Sequence, residues 1–234
     1  LHIECIRGIR HLHDDGRDVP GRGVFTEGLF DLVFDFIIGG EIKNVKFWIF
    51  TRDGFSKAST RDFWNRFFIG WIDFSKIYSM QKPVKGNRVL VISNAGGAAV
   101  LASDVAPLYG LKLPSLSDED KAKLDELKKE RTILPMVVYT NPLDLTGSAS
   151  TEGMVKAYEA LAQSPNFDMH LLIPTHQPPT LDERVIDGFG KVAKKCGKSV
   201  AGCEMGESAW SKLFRSRMDE HSIPSYPTPE RAIR

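Results

Sequence analysis

The stretch GNRVLVISNAGGAAVLASDVAPLYG, residues 86–110, decides how this chain is read. Residues 88–93 (RVLVIS) form a continuous apolar run of the kind buried on both faces of a parallel sheet. The run stops at Asn94-Ala95-Gly96-Gly97, and an apolar helical pattern follows at once, ending near Tyr109 with Gly110 in the place of a helix C′ residue. A strand end that turns directly into a helix start leaves free N–H groups at the turn. The helix dipole favours negative charge there, and glycines let an anion come close to the backbone. A tight βα turn with glycines for close helix packing reads the same way, because a lone glycine pair is neither GxGxxG nor a Walker A loop. On this stretch alone, anion cradle and packing turn stand level.

Downstream, the pattern stays regular. LKL (111–113) reads as a short strand, and Ser117 with Asp120 opens a capping pattern for the charged helix DEDKAKLDELKKE, whose Lys-rich last turn suits the helix dipole. TNPLDLTGSAS (140–150) reads as a loop, and Ser150 or Thr151 caps a helix that runs through Leu161. MHLLIP (169–174) is a second buried-type strand, and HQPPT leads into a helix over about 181–196, ended by Gly197. SVAGC (199–203) is a third, followed by a helix over about 207–220, a last strand over about 223–226 and a helix start at Pro229. Strands alternating with helices of this length imply a parallel sheet covered by helices on both faces. Residues 1–80 are aromatic-rich and irregular, with Trp48, Trp64 and Trp71, and residues 82–87 (KPVKGN) break both periodicities. The expected division is therefore 1–81 and 82–234.

Composition bounds the function. The 234 residues carry 31 Lys and Arg against 30 Asp and Glu, so no bulk positive field points to nucleic acid or an anionic membrane, and any anion site must be local. The longest apolar run, residues 29–40, is interrupted by Asp31 and Asp35 and is too short to span a bilayer. Cys5, Cys196 and Cys203 form no CxxC pair, and their odd number fits a reducing, cytoplasmic compartment. The chain begins with Leu1 in a helical pattern, as a fragment of a longer protein would.

Further polar clusters carry candidate chemistry. In Asn141-Pro142-Leu143-Asp144-Leu145-Thr146-Gly147, Asp144 is able to bind a cation or orient a nucleophile, and Thr146 with the Gly147 N–H is able to hold a phosphoryl oxygen; the same residues equally close an Asx or ST turn. His176, in the loop after a strand, lies on the same sheet edge as a candidate acid–base group, although a solvated loop histidine is the commoner case. Gly206 closes another strand, and Cys203 beside it reads as a buried, inert thiol. His11, His13, Asp14 and Asp15 have ligand chemistry without a second cluster at metal spacing, so no metal site is expected.

Taken together, NAGG at 94–97, the helix end APLYGLKLPSLSDED, NPLDLTG at 141–147 and the closing IPSYPTPERAIR resemble the ADP-forming acyl-CoA (acetyl-CoA) synthetases over about 82–234. The resemblance maps this region to the family's second ligase domain, a flavodoxin-like doubly wound α/β fold related to the carboxyl-terminal domain of the succinyl-CoA synthetase β subunit. The opening HIECIRGIRHL resembles the helix that ends the preceding ligase domain, so residues 1–81 read as an irregular remnant of that domain. Family members interconvert acyl-CoA, ADP and phosphate with acid, CoA and ATP through a phosphorylated histidine. The resemblance implies a phosphoryl cradle at Asn94, Ala95, Gly96, Gly97, Asp144, Thr146 and Gly147. It also implies CoA and ADP or ATP with Mg, held mainly by ATP-grasp and CoA-binding domains or subunits that this chain lacks. The family's Ser-His-Thr-Gly segment is replaced by Ala58-Ser59-Thr60-Arg61, so no catalytic histidine is expected in its place. That loss favours a second reading, a CoA- or acyl-CoA-responsive regulatory module like those fused to protein acetyltransferases. A flavodoxin-like FMN site is a weaker third reading, since flavodoxin phosphate loops are rich in Ser and Thr.

Overall fold

A computed structural model describes residues 29–38, 41–50, 57–176 and 179–234, with residues up to 68 described as backbone only. The HLHDD cluster and the opening HIECIRGIRHL lie outside the described residues. The chain divides into two compact units, Leu1–Phe68 and Ile69–Arg234. In the first, β1 (Leu29–Ile38) and β2 (Glu41–Phe50) pair antiparallel, from Leu29 opposite Phe50 to Ile38 opposite Glu41. The region expected to be irregular thus holds a ten-residue ladder. Phe30, Leu32, Phe34 and Phe36 recur at every second position, which is strand periodicity. A helix, α1 (Lys57–Met80), follows, and the Ala58-Ser59-Thr60-Arg61 segment lies in its first turns.

The second unit is the α/β fold that the sequence implies. Its strands are β3 (Val89–Ser93), β4 (Leu143–Asp144), β5 (Met169–Ile173), β6 (Ser199–Cys203) and β7 (Ser225–Tyr226). Its helices after α1 are α2 (Gly96–Val105), α3 (Asp118–Lys129), α4 (Thr151–Ala162), α5 (Arg184–Cys196), α6 (Ala209–Glu220) and α7 (Pro229–Ile233), with a 3-10 turn at Ala106–Tyr109 after α2. All strand pairs are parallel, in the order β4-β3-β5-β6-β7. Counted within this unit the order is 2-1-3-4-5, that of flavodoxin-like sheets, with the reversal of strand order between β3 and β5.

Side-chain parity divides the core between the two faces. Leu90, Ile92, Leu172 and Val200 meet Leu124 of α3, Met154 and Tyr158 of α4 and Phe189 of α5. Val89, Val91, Leu171, Ile173 and Cys203 meet Ala98 and Ala102 of α2 and Ile233 of α7. Helix starts and stops follow local chemistry. Ser117, with Asp120, forms a reciprocal capping box on α3, Ser150 caps α4, and Gly110 and Gly197 take the left-handed conformation that ends a helix.

Two local expectations are corrected. LKL contributes a single parallel bridge, Lys112 to Arg88, rather than a strand. The 140–150 loop contains β4, whose two residues complete an edge that a side chain begins. Asn141 accepts from the Val91 N–H at 3.0 Å and donates to the Val89 carbonyl at 2.7 Å through its amide, doing for β3 what a neighbouring strand's peptide group does elsewhere. The compact unit Ile69–Arg234 includes the end of α1, whose residues are tied to the sheet. Asp73 binds Arg231 and Arg234, Lys76 donates to the Ser225 carbonyl, and Gln81 accepts from the Val200 N–H.

Candidate functional site

The carboxyl ends of the parallel strands converge on one edge, and residues 94–97 occupy it where the strand order reverses. Ser93 Oγ lies 2.9 Å from the Ala95 N–H, which donates to it, so that N–H is committed. Asn94 is 1% exposed. Its Oδ1 accepts from the N–H and hydroxyl of Thr175 at 2.7 and 3.0 Å, and its Nδ2 donates to the Thr175 carbonyl at 3.0 Å. Every polar atom of that side chain is spent joining the ends of β3 and β5, so Asn94 braces the crevice.

Side-chain oxygens of Ser117, Ser150, Ser208 and Thr228 accept first-turn N–H groups of α3, α4, α6 and α7, whereas the N-cap residues of α2 and α5, Ala95 and Glu183, supply none; at α5 the Asp182 carboxylate accepts from the Arg184 N–H instead, and α2 has no such substitute among the described residues. Among the described residues, the N–H groups of Gly96, Gly97 and Ala98 have no hydrogen-bond partner, as the first turn of a helix dictates without a cap. A Cβ at Gly97 would meet nothing within 4 Å, whereas one at Gly96 would stand 2.7 Å from Asp144 Oδ2. A side chain at 96 would have to displace the Asp144 carboxylate, whereas at 97 the turn opens to free space.

Asp144, at the end of β4, accepts from the Thr146 N–H at 2.9 Å through Oδ1 and turns its other oxygen toward the start of α2, where the helix dipole favours it. Thr146 has φ 72°, a left-handed conformation that a β-branched residue seldom holds. Gly147 follows in open space. The structure thus brings residues 94–97, Asp144, Thr146 and Gly147 to one edge and separates their roles: open N–H groups at 96–98, a brace at Asn94 and a carboxylate-fixed turn at 144–146.

On the other side of the crevice, His176 Nδ1 lies 2.6 Å from Glu204 Oε1, with the imidazole ring 5.7 Å from that of Phe214. The expectation of a solvated loop histidine is corrected: the side chain is largely buried and held by a carboxylate. Glu204 is fully buried, and its Oε2 has no partner among the described residues. Burial pushes its carboxyl up to about 7, against the opposing pull of His176. Nothing local in the sequence marks this pair, since its members stand 28 positions apart and meet only because β5 and β6 are neighbours. Cys203 is buried, and burial raises its thiol well above the ordinary value, in keeping with an inert side chain. His170, within β5, receives or donates one bond with the Tyr158 hydroxyl, and burial lowers it to about 3, so it stays neutral at physiological pH. No three His, Cys, Asp or Glu side chains gather as a metal site among the described residues, and no described helix is long and apolar enough to cross a membrane.

No family model matches the sequence. Individual proteins do. The α subunit of the ADP-forming acetate–CoA ligase II of Pyrococcus furiosus is 32% identical over 164 residues, covering 68% of this chain and 34% of the relative. The ligase I α subunit of the same organism is 32% identical over 174 residues, with 69% and 34% covered. Among solved structures, a Pyrococcus horikoshii OT3 protein superposes with a TM-score of 0.63 at 26% identity, covering 70% of this chain and 37% of that one. The apo dinucleotide-forming acetyl-coenzyme A synthetase 1 of Ca. Korarchaeum cryptofilum has the same fold, with a TM-score of 0.63 at 24% identity and coverage of 70% and 35%. The chain spans about a third of the length of the relatives it matches. With the flavodoxin-like strand order, this similarity over about 70% of the chain makes the ADP-forming acetate–CoA ligase subunits its homologues.

Proposed function

We propose that the second unit is the phosphoryl-cradling ligase domain of an ADP-forming acyl-CoA synthetase, acting in the cytoplasm on acyl-CoA, ADP and phosphate to give acid, CoA and ATP. The observation that carries this reading is the uncapped start of α2 at the topological switch point, with Gly97 open to solvent. The N–H groups of Gly96, Gly97 and Ala98 donate to phosphoryl oxygens there, and the helix dipole favours the anion. Ala95 contributes its backbone course rather than its own N–H, which Ser93 already holds. Asp144 repels an anion at close range, so the phosphoryl group sits on the Gly97 side. Asp144 itself serves to fix Thr146 and Gly147, whose hydroxyl and N–H complete the rim. CoA and ADP with Mg are held by CoA-binding and ATP-grasp domains outside this chain.

The replacement of the family's Ser-His-Thr-Gly segment by Ala58-Ser59-Thr60-Arg61 favours a second reading, a ligase-like module that senses CoA or acyl-CoA without turnover. Reconstitution separates the two. The purified chain is mixed with a separately expressed ATP-grasp and CoA-binding partner, and acyl-CoA-dependent ATP formation from ADP and phosphate is followed. Activity that requires both components and is lost in Gly97→Asp supports the ligase. A folded chain with no activity in the mixture, but with CoA binding, supports the sensor.

A further inference from the structure

A second cavity lies at the other end of the sheet, where β3, β5 and β6 begin. It has a volume of about 380 Å³ and is floored by Val89, Met169, Leu171 and Ala201, on the face that α2 and α7 cover. Its origin is the shortness of α7: five residues extend only about 7.5 Å along a sheet whose five-residue strands run about 16 Å. The uncovered part of the face is bordered by the end of α1, through Phe74, Ile77 and Tyr78. That border is fixed. Ser199 donates to the Lys82 carbonyl at 2.7 Å, the Val200 N–H donates to Gln81 at 3.0 Å, and the Tyr226 hydroxyl donates to the Asp73 carbonyl at 3.0 Å. The cavity is thus preformed and falls within the roughly 300–1,000 Å³ range of small-molecule pockets.

Two further observations define what fits it. Large apolar side chains stand exposed at its mouth, with Phe74 at 45%, Tyr78 at 77% and Val84 at 38% exposure. One wall carries surplus positive charge, since Arg231 and Arg234 share the single carboxylate of Asp73. Arg231 meets it through two nitrogens, at 2.9 and 2.6 Å, whereas Arg234 uses one, at 3.0 Å, which leaves the rest of its guanidinium fork for another anion.

We infer that this cavity is a second ligand site, separate from the phosphoryl crevice, that takes a medium-chain aliphatic carboxylate with its tail against Leu171 and Ala201 and its head on Arg234. The site does not depend on the phosphoryl-cradle reading. The test is calorimetric titration of the full chain with decanoate, below its micelle concentration, and with 1-decanol, which has the same tail and no charge. The expected result is saturable 1:1 binding of decanoate at least ten-fold tighter than of decanol. Arg234→Gln is expected to weaken decanoate at least ten-fold and leave decanol unchanged. Ala232→Trp, which fills the cavity from α7, is expected to abolish both, and Gly97→Asp to change neither. Absence of decanoate binding by the folded chain, equal affinity for decanol, or binding indifferent to Arg234→Gln would overturn the proposal. The Arg234 variant keeps the test decisive if Ala232→Trp does not fold.

Discussion

At Gly96 and Gly97, adjacent glycines carry opposite constraints, and substitution separates them. Gly97→Ala adds a methyl to open space on a helix and is expected to stabilise the fold by about 0.5–1 kcal/mol. Gly96→Ala drives its methyl against Asp144 and is expected to destabilise by about 1–3 kcal/mol, measured by urea unfolding. Glu204 carries a pH signature. Its folded carboxyl holds a proton up to about 7, against 4.5 ordinarily, so its contribution to stability is complete below about 4.5 and is lost as pH rises through 7. Glu204→Gln removes that loss, and the Tm of the variant relative to the parent is expected to be higher at pH 8 than at pH 5. A difference that stays flat with pH would mean that Glu204 is not held protonated. At this scale the sequence spoke unevenly. The glycines marked the strand-to-helix turn, because that signal is local. It could not show that Asn94 is consumed by Thr175 or His176 by Glu204, because those partners come together only through strand pairing.

Among the elements, β3, β5 and β6 were legible because each is a continuous apolar run buried on both faces, and α3 was legible from its cap and charged face. β4 was not. With two residues it has no periodicity to detect, and its role on the β3 edge is shared with the Asn141 side chain, which also donates to the Pro114 carbonyl at 3.0 Å. Asn141→Ala deletes three hydrogen bonds and strands the Val91 N–H and Val89 carbonyl, at about 1–3 kcal/mol for each buried group left unpaired. The variant is expected to lose about 2–4 kcal/mol, with faster hydrogen exchange at Val91 than at Leu172 in the sheet interior. Unchanged exchange at Val91 would show that the amide is not acting as a strand. The β1–β2 hairpin was missed for a different reason: its aromatic content drew the reading toward irregularity although its alternation is strand-like.

For the whole molecule, the alternation of strands and helices carried the fold class, and the strand order 2-1-3-4-5 then placed residues 94–97 at the switch point, where open α/β sheets bind ligands. Lys82-Pro83 looks like a linker in the sequence, while the ties that join 69–81 to the sheet are long-range. A fragment of residues 69–234 is expected to unfold cooperatively, and one of residues 82–234 to have a Tm lower by at least 5 °C, having lost the Asp73, Lys76 and Gln81 contacts. Equal Tm values would place the boundary at 82. The most direct measurement for the proposed function is an amide NMR titration of the chain with inorganic phosphate at constant ionic strength. The expected result is saturable movement of the Gly96, Gly97 and Ala98 amide signals with phosphate, absent with chloride and abolished by Gly97→Asp, which the open space at that position accommodates. Phosphate shifts that leave those three amides unmoved, or that persist unchanged in Gly97→Asp, would contradict the cradle.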